Sequence, residues 1–308
     1  MTGLRDALAG YLDLRRGLGF KLIRDEKLLD QFITYLEERG AGTVTIDHAL
    51  SWATLPVGGS SGWLRMRITV VRGFAAYLAT FDPATEVPPA SLLPGGTHRA
   101  VPSLYSTADI EALPAQAERL RTPLRATTIQ TLIGLLTVTG MRIGEAIALD
   151  DGDFDPEQGM LRVRHAKLGR HRLLPLHPTT VTALRSYRPL RDQAFSRAVR
   201  EALLVSSVGT RLLYYNLSIT FARLARRAGL AARSGGSRPR PHDLRHSFAV
   251  ASLLGWCRDG GDIGSRMPLL SAYLGHTEPA NTYWYLHAAP ELRAEAARRL
   301  GPTPGEPR

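Results

Sequence analysis

The chain has one cysteine, three lysines and few aromatic residues among its 308 positions. Each scarcity excludes something. A single thiol, Cys257, cannot form a disulfide framework within the chain, and it suits a reducing compartment. No stretch approaches the ~18 consecutive apolar residues that a membrane-spanning helix needs. The first twenty residues mix acids with bases, unlike a secretory leader. Aromatic residues make up 7% of the chain, while hydrophobic residues reach 44%, enough to fill sizeable cores with aliphatic side chains.

What is present is positive charge. Lysine and arginine total 39 against 28 acids, a formal net charge of +11. The excess is uneven. Residues 1–82 carry a net +1 and residues 83–308 a net +10. Such a surplus points to a polyanionic partner, with nucleic acid the leading candidate. Beyond Asp82 there are 28 arginines and one lysine, Lys167. A GC-rich coding sequence accounts for the arginine bias but leaves that surviving lysine conspicuous.

The segment from Asp82 to Pro102 holds five prolines and the pair Gly95-Gly96. This composition disfavours a helix and predicts a linker over 83–103, dividing a domain of residues 1–82 from one of 104–308. The first domain reads as four short helices. Leu28, Leu29, Phe32, Ile33 and Leu36 mark one apolar stripe; Ile68, Val71, Phe74, Ala75 and Leu78 mark another, capped by Ser60 or Ser61. Arg65, Arg67 and Arg72 share the last helix and are candidates for phosphate contact. The second domain reads as mainly helical with one β-hairpin, formed by residues 160–164 and 172–176 around Lys167. Its helices are expected near 127–138, 143–149, 178–190, 216–229, 242–257, 265–274, 279–287 and 290–300. The fold class is therefore mainly α with a small β element.

Three segments carry chemistry. In Thr139-Gly-Met-Arg142, a glycine turn precedes a short helix, which brings a guanidinium to exposed helix N–H groups and suits a phosphate. In His242-Asp-Leu-Arg245-His246, both histidines and the arginine lie one turn apart on one face. A metal pair of His242 and His246 competes with that reading, but it needs a third ligand and sets Arg245 beside a dication. In Leu274-Gly-His276, a histidine follows a helix-ending glycine, and Tyr283 and Tyr285 follow on the next helix. A phenol is a nucleophile only where cations stabilise its phenolate.

The ordered set T-G-x-R, H-x-x-R-H, L-G-H and a tyrosine nine residues on resembles the tyrosine recombinase (phage integrase) family over residues 104–300. The resemblance implies a helical, SAM-like core-binding domain followed by a catalytic domain, closing as a clamp on duplex DNA. It assigns Arg142, His242, Arg245 and His276 to the scissile phosphate and Tyr285 to the nucleophile, with Tyr283 as the alternative. The family also carries a lysine on a hairpin about 25 residues after the first arginine, and Lys167 stands 25 residues after Arg142. Unlike arginine, lysine can release a proton, so Lys167 becomes the general acid for the leaving 5′-oxygen. His242 is expected to assist with the tyrosine proton and His276 to donate to the phosphate.

Arg170 and Arg172, beside the hairpin turn, join the candidate DNA contacts. The hairpin departs from many relatives in having Leu168 where they have glycine beside the lysine. The mechanism implied needs neither metal nor ATP, because the phosphotyrosyl bond conserves the energy of the broken one. The implied partners are a homotetramer on synapsed sites and accessory recombinases; the implied location is the cytoplasm, at the nucleoid. Residues 11–20 look like the start of mobile-element recombinases. A type IB topoisomerase-like enzyme and a DNA-binding protein with a dead site remain the rivals.

Overall fold

The computed structural model describes residues 3–93, 103–164, 171–195, 201–230, 239–276, 278–288 and 290–300. The chain forms two compact units, residues 1–99 and 100–308.

The first unit is a bundle of α1 (Leu4–Gly17), α2 (Ile23–Glu37), α3 (Ile46–Thr54) and α4 (Ser61–Leu78). Side chains fix the starts of two helices. Thr45 Oγ1 accepts the His48 N–H, and Ser60 Oγ accepts the Trp63 N–H, each satisfying an orphan donor of the first turn. The two expected stripes meet inside, where Phe32, Trp52 and Phe74 are buried with Leu29, Ile33 and Val71. Part of the proline-rich segment lies on this bundle. The Glu86 N–H donates to Val44 O at 2.8 Å, its carboxylate accepts the Ile46 N–H at 2.7 Å, and Leu92 and Leu93 pack against the core.

The second unit opens with α5 (Thr107–Ala117), α6 (Pro123–Thr139) and α7 (Ile143–Ala148). The cap of α5 is a reciprocal pair, Ser106 with Asp109. Helix α6 begins earlier than its apolar run suggests, because Thr122 caps it and Pro123 occupies its first turn. The hairpin is joined by a further strand. β1 (Phe154–Asp155), β2 (Met160–Val163) and β3 (Arg172–Pro175) make an antiparallel sheet in that order, with Leu161 opposite Leu174.

Helices α8 (Pro178–Ala194), α9 (Tyr214–Arg227), α10 (Asp243–Arg258), α11 (Ile263–Leu274), α12 (Ala280–Ala288) and α13 (Pro290–Leu300) follow. The larger core joins α5–α9 with the sheet. A smaller one joins α10–α13 and contains Ala249, Leu253, Cys257, Leu270, Leu274, Tyr285 and Leu292. Cys257 is thus a core residue, and Leu292 of α13 packs within its own chain. Among the described residues, no helix is long and apolar enough to cross a membrane.

Candidate active site

The site is built where α6, α7, α10 and α11 meet. Gly140 ends α6 with φ +58°, the left-handed conformation that glycine adopts without strain. A Cβ there would collide with Phe248 Cδ1 and lie 3.0 Å from Leu274 Cδ2. The turn is therefore both left-handed and closely packed. Gly140→Ala is expected to destabilise the chain by ~2–4 kcal/mol, combining overpacking with backbone strain. That corresponds to a melting temperature lower by roughly 5–15 °C, and thermal unfolding by circular dichroism checks it.

Two residues on, Arg142 caps α7. Its backbone N–H and its Nη1 donate to the Glu145 carboxylate at 2.8 and 2.9 Å, and its Nη2 donates to Gly275 O at 2.9 Å. Arg245, one turn into α10, donates from Nη1 to Gly140 O at 2.8 Å and from Nη2 to Leu274 O at 2.9 Å. Both guanidinium groups therefore sit on the carbonyl end of α11, where the last backbone acceptors of a helix lack intrahelical donors and the helix dipole is negative.

Arg142 is 31% exposed at its side chain and can meet a ligand, whereas Arg245 is 2% exposed. Burial, reinforced by the charge of Arg142, pulls the Arg245 guanidinium down to about 10, still protonated at neutral pH.

Glu145 is the acid at this centre. Burial pushes its carboxyl up, but Arg172 and then Arg142 outweigh that and hold it below the ordinary carboxylate range. Arg172 Nη1 and Nη2 donate to Glu145 at 3.1 and 2.7 Å. Three guanidinium groups around one carboxylate leave a positive field, the electrostatic requirement for a bound phosphate.

The third wall comes from α12 and the turn before it. His276 follows Gly275, which closes α11 with φ +68°. His276 Nδ1 shares a 2.6 Å hydrogen bond with the buried Thr282 hydroxyl. Its ring stacks on that of Tyr285, with centroids 6.3 Å apart. Tyr285 is 2% exposed, and its Oη shares a 3.1 Å hydrogen bond with His246 Nδ1. His242 stands exposed at the start of α10 with its ring edge-on to His246, centroids 4.9 Å apart.

The structure thus gathers Arg142, Arg245, His276 and Tyr285, with His242 at the margin through His246. Tyr283 is 46% exposed, and residues two apart on a helix do not share a face. Lys167 and Arg170 lie outside the described residues, in sequence between β2 and β3.

Two of the candidate DNA contacts are held elsewhere. Arg67 is 6% exposed; it stacks over Trp52 at 3.6 Å and donates to Trp52 O at 2.7 Å, inside the first bundle. Arg172 faces Glu145. Arg65 and Arg72 are half-buried on α4.

Glu145, Arg172 and His246 carry more of the site than their motifs suggested. His246 had a signal, its one-turn spacing from His242. Among the described residues, no group of three or more His, Cys, Asp or Glu side chains is placed to hold a metal ion. Asp243, between the two histidines, is buried and accepts the Arg240 N–H at 2.8 Å.

Comparison with known proteins places these features in context. The profile of the Phage integrase family matches residues 105–291. The "Putative integrase/recombinase y4rB" of Sinorhizobium fredii is 40% identical over 306 residues, covering 97% of this chain and 98% of that protein. Among solved structures, the Tn1549 transposon integrase in complex with transposon right end DNA superposes with a TM-score of 0.67 at 17% identity, over 96% of this chain and 99% of that one. A lambda integrase tetramer bound to a Holliday junction gives 0.64 at 16% identity, over 92% and 77%.

Proposed function

The chain belongs to the phage integrase family, the tyrosine recombinases, and from that premise we propose that it breaks and rejoins DNA at specific sites through a 3′-phosphotyrosyl link on Tyr285. The observation that carries this reading is the convergence on one helix end. Arg142 and Arg245 are fixed to the last carbonyls of α11, and Tyr285 stacks on the histidine that follows them.

Tyr285 Oη attacks the scissile phosphorus in line. Arg142, with Arg245 behind it, stabilises the charge that develops on the non-bridging oxygens, and His276 donates to one of them. Glu145 orients Arg142 and does not react. The 5′-oxygen leaves with a proton from Lys167. A 5′-hydroxyl of another strand then attacks the phosphotyrosine and reseals the backbone, so the bond is exchanged without a nucleotide cofactor.

Arg65 and Arg72 grip the DNA backbone from the first unit, and the excess arginines of the second supply the salt-dependent part of the affinity. Four protomers act on two synapsed sites through a Holliday junction, supported by the lambda integrase tetramer that shares this fold. Integration or transposition of a mobile element is the favoured role, supported by the resemblance of residues 11–20 to the start of such recombinases.

The test is covalent trapping on a nicked duplex, paired with exchange between two sites on a plasmid. Trapping with exchange is expected. Relaxation of plasmids of unrelated sequence would instead make the enzyme topoisomerase-like, and absence of trapping would leave a DNA-binding protein.

Lys167 has its own signature. Lys167→Ala is expected to slow cleavage of ordinary DNA by ~10²–10⁴-fold, the usual span for a general acid. The same variant should regain near-normal cleavage on a 5′-bridging phosphorothiolate, whose thiolate leaves without a proton. A defect that persists on the sulfur substrate would move the acid elsewhere.

A further inference from the structure

We propose that His246 is a catalytic residue, the acceptor of the proton that the Tyr285 hydroxyl loses when it attacks. The inference rests on Tyr285 being the nucleophile. It assigns to His246 a step for which the sequence pointed to His242.

Tyr285 is almost wholly buried, so bulk water is not at hand to take its proton. A phenol ionises near pH ~10, and at neutral pH only about one molecule in a thousand would be charged unaided. The hydroxyl instead lies 3.1 Å from His246 Nδ1, within direct transfer distance. Imidazole is the side chain whose ordinary range suits that task near neutrality.

The ring is bracketed. The His242 ring meets it edge-on, and the Trp284 ring lies 5.6 Å from it on the side of α12. The other histidine against Tyr285, His276, has its Nδ1 engaged by Thr282. Acceptance at His246 Nδ1 requires the tautomer with hydrogen on Nε2, so that the tyrosine hydroxyl donates.

Among the described residues, the titratable and charged groups around the pair are His242 and Arg245 on α10, Tyr285 on α12, His276 between α11 and α12, and Arg142, Glu145 and Arg172 beyond Arg245. Arg245 and the Tyr285 hydroxyl are close enough to interact electrostatically. As the Oη–P bond forms and the P–O5′ bond breaks, the proton passes from Oη to Nδ1 and leaves an imidazolium. When the phosphotyrosine is resealed, the imidazolium returns that proton to Oη.

The experiment measures single-turnover formation of the covalent complex between pH 6 and 9.5, using the full chain. The probe is a nicked duplex recovered by selecting random-core duplexes that the Tyr285→Phe chain binds. His246→Asn keeps a polar group at the Nδ1 position but cannot accept the proton. Its rate is expected to fall ~100-fold at pH 7, then to keep rising with pH where the unmodified enzyme has levelled off, so that the deficit narrows to less than about tenfold by pH 9.5.

His246→Ala should be rescued by free imidazole, more by its more basic analogues, and this arm decides the matter should His246→Asn fold poorly. A constant deficit at every pH with no imidazole rescue would overturn the proposal and leave His246 a packing residue, as would a normal rate in His246→Asn. A complex that forms with Tyr285→Phe would overturn the assignment of Tyr285 itself, which separates the two failures.

Discussion

Tyr285→Phe is expected to abolish the covalent protein–DNA complex on a nicked duplex while leaving the fold and DNA binding intact. Phenylalanine fills the same space in the core of α10–α13, where Tyr285 packs with Leu253, Leu270 and Leu274. The hydrogen bond to His246 is given up, at a net cost of about 1 kcal/mol. Melting should shift by only a few degrees, so a missing complex reports lost chemistry and not a lost fold. The measurement is denaturing electrophoresis of the trapped complex, alongside a mobility-shift titration at fixed salt. Retained trapping would transfer the nucleophile to Tyr283, and Tyr283→Phe would then remove it. The burial of Tyr285 adds a second expectation. The chain without DNA should be slow to be nitrated or iodinated at Tyr285 and faster at the exposed Tyr283.

Arg245→Lys should reduce cleavage by ~10²-fold, the usual cost of displacing a catalytic group by about 1 Å. The charge is conserved, so a purely coulombic role would predict little change. The geometry predicts otherwise. The guanidinium reaches Gly140 O and Leu274 O at once, linking the end of α6 to the end of α11. A lysine ammonium is a point donor and cannot reproduce that planar fork. One carbonyl loses its partner at ~1–3 kcal/mol, and the α6–α7 turn that presents Arg142 loses its tie to α11. The variant should therefore melt several degrees lower and cleave slowly, yet bind DNA nearly normally, because Arg245 is buried. Cleavage within threefold of the unmodified rate would show that the fork is dispensable.

Local patterning made much of this arrangement readable beforehand. Periodicity and capping residues placed the helices to within a few positions, and T-G-x-R, H-x-x-R-H and L-G-H named residues that the fold brings together. Contacts distant along the chain were not readable. Arg172 looked like a hairpin arginine facing DNA, because a four-residue strand does not reveal which partner lies 27 positions away; that partner is Glu145. Arg67 is different, since its spacing to Val71, Phe74 and Leu78 already set it on the apolar face of α4. The general preference of arginine for solvent obscured this, and only Trp52 from α3 explains how a guanidinium is accommodated there. Strand β1 has two residues, too few for alternation to register. His246 was visible as a neighbour of His242, but its partner Tyr285 lies 39 positions on.

The shared anchorage on α11 has a mechanical consequence. In-line transfer depends on relative positions within the site, and errors in those positions come from elements that move independently. Here the contact points of both arginines, Leu274 O and Gly275 O, are consecutive carbonyls, and His276 is the next residue. A displacement of α11 carries all three by nearly the same vector. It acts as a common-mode disturbance, shifting two cations and an imidazole together while preserving the spacing among them. What remains differential is the position of α12, which holds Tyr285. The tolerance of the proposed reaction is thereby concentrated in one degree of freedom, the approach of Tyr285 to a receiver that stays calibrated.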